Sequence, residues 1–105
     1  MPNVIAVGNV KSDGTIYNTT PGVSISTMGV YSENMYKVEL PCGLVLHDDY
    51  IIQLTQELVD DGDQDHYFTS IGYLFRTKKG FQVGIIKGDN GQFIKGSWSF
   101  TILDL

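Results

Sequence analysis

Apolar and polar side chains alternate along this chain in short runs, each ending at Gly, Asn, Asp or Pro. In Met35–Tyr36–Lys37–Val38–Glu39–Leu40, residues Tyr36, Val38 and Leu40 point one way while Lys37 and Glu39 point the other. Phe81, Val83 and Ile85 repeat the pattern, and so do Trp98, Phe100 and Ile102 at the end of the chain. A period of two places successive side chains on opposite faces of a strand, so these runs build sheets with one dry side. The bulky last run requires a paired, buried terminal strand rather than a free tail.

Turn residues divide the rest of the chain. Residues 3–10 form a first strand, Lys11–Ser12–Asp13–Gly14 a turn, and Thr15–Ile16–Tyr17 a short return. Residues 23–27 alternate well, and Pro41–Cys42–Gly43 ends the strand at 35–40, because proline has no amide to give a ladder. Ile71, Tyr73 and Phe75 share a face of a strand over 67–77, which Lys78–Lys79–Gly80 folds back as a hairpin onto 81–85. Gly88–Asp89–Asn90–Gly91 marks another turn. Residues 48–60 are ambiguous. Ile51, Leu54 and Leu58 lie at helical spacing with Asp48 and Gly62 placed to cap, whereas Tyr50–Ile51–Ile52 favours a strand and Tyr50, Ile52 and Leu54 alternate. We read a strand, with a helix as the alternative. The fold class is all-β: one domain over 1–105, a compact antiparallel β-sandwich or jelly-roll of about eight short strands.

Composition narrows the function. A chain of 105 residues is one domain that supports a core without disulfides. Only 18% of residues are charged, below the roughly 25% of ordinary domains, which suggests apolar surface covered by another subunit. Seven Lys and Arg stand against twelve Asp and Glu, for a net charge of −5. Nucleic acid needs clustered cations, and the only such run, Arg76–Thr77–Lys78–Lys79, reads as a turn. No nucleic acid partner is expected. The start of the chain lacks a signal-peptide pattern, and no apolar run approaches the ~18 residues of a membrane span. The chain is thus expected to mature in a cytoplasm without membrane insertion.

Chemistry-bearing motifs are sparse. Cys42 is the single cysteine and reads as a small buried apolar residue, since a reactive thiol needs positive charge and Asp48 and Asp49 lie close in sequence. Gly22–Val23–Ser24–Ile25–Ser26 lacks the second glycine of a nucleophile elbow, and no Gly-rich loop precedes a Lys-Ser/Thr pair. Asp61, Asp63 and Asp65 have the spacing that opens an EF-hand loop, but the positions needing Gly and Glu hold His66 and Gly72. They remain candidates for a looser calcium site, against the simpler reading of a solvated loop. His47 and His66 read as surface residues. Asp48/Asp49 and Asp60/Asp61 are loop carboxylates, so we expect no catalytic residues and no cofactor. Tyr17, Tyr31 and Tyr67, beside turns, are the candidate ligand-binding residues, because exposed rings stack on sugars or anchor protein contacts.

The order of segments carries a resemblance. Gly8–Asn9–Val10–Lys11–Ser12–Asp13–Gly14–Thr15 is followed by Gly29–Val30–Tyr31, Tyr36–Lys37–Val38–Glu39–Leu40 and Asp49–Tyr50–Ile51–Ile52–Gln53–Leu54–Thr55. Later come Thr77–Lys78–Lys79–Gly80–Phe81–Gln82–Val83 and Trp98–Ser99–Phe100–Thr101–Ile102. This succession resembles the small β-sandwich domains of bacteriophage head fibres and tail-fibre tips. The resemblance implies a structural protein of the virion, a homotrimer bound to other virion proteins, with contact to a host surface glycan as a further role. Residues 1–105 contain no shaft repeats. If Met1 is the natural start, a head fibre or capsid-decoration module fits that resemblance better than a tail-fibre tip; a tail-fibre tip or a receptor- or carbohydrate-binding module contacting the host surface is the alternative.

Overall fold

The computed structural model describes residues 3–11, 14–27, 35–57, 69–87 and 93–104. The alternating runs become strands: β1 Asn3–Val10, β2 Ile16–Thr19, β3 Ser24–Thr27, β4 Tyr36–Glu39, β5 Ile51–Gln56, β6 Thr69–Thr77, β7 Gly80–Lys87, β8 Phe93–Ile94 and β9 Trp98–Asp104. They form two antiparallel sheets. One has four strands in the order β2-β1-β9-β5; the other has five, in the order β3-β4-β7-β6, with β8 also paired to β7. The final strand inserts between β1 and β5, which is the pairing that its bulky inward residues demand. The ambiguous stretch is settled as strand β5, with Ile52 in the core. Residues 58–60 lie outside the described residues.

The inner faces meet as a sandwich core. Ala6, Val10, Ile52, Trp98, Phe100 and Ile102 come from the four-stranded sheet, and Tyr36, Val38, Phe81, Val83 and Ile85 from the other. Aromatic rings bridge the layers: Trp98 tilts against Tyr36 at 5.5 Å, and Phe81 meets Phe100 edge-on at 6.1 Å. Such offset and edge arrangements favour the ring quadrupoles over face-to-face stacking. The Phe100 ring packs so closely over Gly8 that a Cβ there would collide with it. The Tyr36 hydroxyl donates to the Gly96 carbonyl and accepts from the Gly96 amide, both at 3.2 Å, so this buried polar tip is satisfied.

Two expectations are corrected and one strand is added. Cys42 is exposed: it sits in the turn after β4, where Leu40 and Val45 on either side fill the core. The strand Phe93–Ile94 was not foreseen, because two residues between glycine-bearing segments are too few to display a period. Ile71, Tyr73 and Phe75 do not share a buried face. Ile71 packs against the core, but Tyr73 is partly exposed and Phe75 is 73% exposed. The cause is a register shift between Leu74 and Thr77 in the β6–β7 ladder. An extra residue there turns the side chains past Leu74 onto the opposite faces.

Candidate functional site

The bulge that displaces Phe75 also borders a surface cavity. Phe75 has φ of 55°, the single positive φ outside glycine among the described residues. Bulky residues avoid this region, and Phe75 is held there because its neighbours fix both flanks. Before it, Leu74 pairs with Gln82; after it, Thr77 pairs with Gly80. Between them, Arg76 points to the sandwich edge, where its Nη1 donates to the Tyr50 carbonyl at 2.8 Å. The guanidinium lies 5.9 Å from the Tyr50 ring centre and 5.8 Å from that of Tyr73, within cation–π range.

The loop between β4 and β5 fastens this hairpin from below. The Tyr50 hydroxyl donates to the Thr77 carbonyl at 2.7 Å, with the Gly80 carbonyl as a second acceptor at 3.3 Å. The Lys78 amide donates to Asp48 Oδ1 at 2.8 Å, and the Leu40 amide to the Lys79 carbonyl at 2.8 Å. Burial pushes the Tyr50 phenol up to about 12; Arg76 opposes the shift, while Asp48 and Tyr73 add to it. Asp48, one of the loop carboxylates singled out in the sequence, thus serves as a turn acceptor.

Above the hairpin, the outer surface of the five-stranded sheet holds an open cavity of about 460 Å³. Gly80 forms part of its floor, with φ of 148° and so little room that a Cβ would run into the Val38 carbonyl oxygen. Lys37 and Glu39 of β4 stand on one side, 3.5 Å apart as an ion pair. Phe75 and Thr77 stand on the other, and Lys79, Gln82 and the core residues Val38, Leu40 and Phe81 also line it.

The outer surface of the four-stranded sheet is chemically different. Its cross-strand rows are Val4–Leu103–Ile51, Val7–Thr101–Gln53 and Asn9–Ser99–Thr55, with Asn18 beyond Asn9. None of these residues carries a charge. Val4 and Val7 are largely exposed. A solvated sheet face ordinarily carries charged residues, whereas depletion of charge marks the buried centre of a protein interface.

The residues proposed from sequence alone do not converge. Tyr17 is exposed on β2 with Lys11 Nζ 4.3 Å from its ring centre, remote in the pairing from the Phe75 cavity, which lies on the other sheet. Tyr31, Tyr67, Asp61, Asp63, Asp65 and His66 lie outside the described residues, as does the turn at 88–91. His47 is exposed, and among the described residues no group of His, Cys, Asp and Glu is placed to hold a metal. No helix of the described residues is long and apolar enough to cross a membrane. The signal that would have found Phe75 is a turn-proximal Phe followed by Arg, but a bulge leaves no mark in composition. Compared with protein-family models, curated proteins and solved structures, the chain gives no match.

Proposed function

We propose that this chain is a non-enzymatic structural module of a bacteriophage particle, a homotrimeric head-fibre or capsid-decoration protein. The observation that carries the reading is the uncharged outer face of the four-stranded sheet. Ten outward residues, from Val4 to Leu103, contain no Lys, Arg, Asp or Glu, in a chain of net charge −5. Burying this face against copies of itself removes Val4, Val7, Ile51 and Leu103 from water without desolvating a charge. A rotationally closed assembly buries it on every copy, so no open face is left to recruit further chains. The fold class is the one that the resemblance to phage fibre domains implies, and the assignment to a virion rests on that resemblance.

The test is incorporation. A tagged chain supplied during assembly of the source particle is expected to co-sediment with intact capsids through a density gradient and to resist a salt wash. A chain that stays wholly at the top of the gradient contradicts the reading. A second reading, contact with the host surface as a tail-fibre tip or carbohydrate-binding module, is favoured by the Phe75 cavity, which lies on the sheet opposite the uncharged face.

A further inference from the structure

We infer that the cavity between Phe75 and the Lys37–Glu39 pair is a carbohydrate-binding site, sized for one or two sugar rings. This rests on the second, host-contact reading and specifies where and how that contact is made.

Three features carry it. The first is the exposed ring. Phe75 is the most exposed large apolar side chain among the described residues, at 73%. It is kept there at positive φ by a bulge. Backbone strain of this kind persists only where the surroundings enforce it. Hydrogen bonds from Tyr50, Arg76 and Lys78 supply that enforcement, so the ring is presented on a rigid support.

The second feature is the mixture of polar groups facing the ring. Glu39 accepts, Lys37 and Lys79 donate, and Gln82 and Thr77 do both. A ligand matched to this set carries donors and acceptors around a body with an apolar face, which describes a pyranose ring. The cavity volume falls within the 300–1,000 Å³ typical of small-molecule sites.

The third feature is the floor. Gly80 lines the cavity, and its backbone is already paired, with Glu39 on one side and Thr77 on the other. An extended peptide binds chiefly through unpaired strand edges, and none lies in this floor. A polyanion is disfavoured by Glu39 and by the acidic chain as a whole. Recognition by side chains alone fits a saccharide.

The experiment is titration of the isotope-labelled chain with soluble disaccharides, neutral (lactose, maltose) and acidic (a sialylated lactose), followed by amide shifts. At least one sugar is expected to bind and to move the Gly80 and Gln82 signals. Phe75→Ala is expected to weaken binding by at least about tenfold, as loss of an aromatic anchor does, and Gln82→Ala by a smaller factor. Lys11→Ala, beside Tyr17 at the other sheet, is expected to leave affinity unchanged. Should Phe75→Ala fail to fold, the position of the shifted signals in the unaltered chain decides the matter. Binding that survives Phe75→Ala, or that is lost instead on Tyr17→Ala, overturns this site while leaving the host-contact reading standing. No binding by any sugar, or displacement of bound sugar by an unrelated extended peptide, overturns the site and its ligand class together.

Discussion

Tyr50 does more for the hairpin than its place in a loop suggests. Its ring packs on Phe81 at 6.5 Å, its hydroxyl holds Thr77, and its carbonyl receives Arg76. A phenol whose pKa rises from 10.0 to about 12 on folding binds its proton more tightly in the native state. Its contribution is therefore complete below pH 10 and is lost as pH climbs from 10 towards 12. Tyr50→Phe is expected to lower stability by about 1–2 kcal/mol at neutral pH through the lost hydrogen bond. Urea unfolding at several pH values should then show a shallower alkaline decline in the variant than in the unaltered chain. Gly80→Ala faces a harder obstacle, since the new methyl meets the Val38 carbonyl across a paired strand. A loss of about 3 kcal/mol or more is expected, at the severe end for single substitutions, and a variant within 1 kcal/mol of the parent would show that β4 and β7 yield more easily than the packing implies. Tyr50 was visible in the sequence as a strand-favouring aromatic residue. Its partners were not, because Thr77 and Gly80 lie 27 and 30 residues away.

The alternating strands were legible wherever the ladder runs without interruption. In β4, β7 and β9 every second residue is apolar and the burial follows. The helix alternative lost over Ile51–Gln56 because Ile52 and Leu54 face Ile102 and Phe100 across the β5–β9 ladder, a pairing that no single-sequence window can see. In β6 the same rule misled beyond Leu74, for a bulge inserts one residue and inverts the count. The candidate site arises at that inversion, so a strictly periodic reading placed Phe75 with Ile71 and Tyr73 instead of over the groove. Phe75→Gly relieves the positive φ, since the left-handed conformation costs about 1–2 kcal/mol in a side-chain-bearing residue. The variant is expected to be as stable as the parent or up to about 1 kcal/mol more stable in denaturant titration, after glycine's own entropic cost. A clear loss of stability would mean that the Phe75 ring contributes packing that its exposure conceals.

Across the described residues the two outer faces differ in chemistry. The five-stranded sheet carries the ion pair, lysines and groove, and the ten outward residues in the rows of the four-stranded sheet carry no charge. The low charged fraction in the sequence hinted at a covered surface. The uncharged rows came together only once β1, β9 and β5 were in register, since Val7, Thr101 and Gln53 are far apart in the chain and adjacent in one row. Thr101→Lys at the centre of that face is expected to break assembly while leaving the fold intact, read as reduced molar mass with unchanged far-ultraviolet circular dichroism. The most direct test of the account is static light scattering on the unaltered chain across a dilution series. A molar mass three times that of one chain, held to low micromolar concentration, is the predicted result. A mass of one chain at every concentration would contradict it.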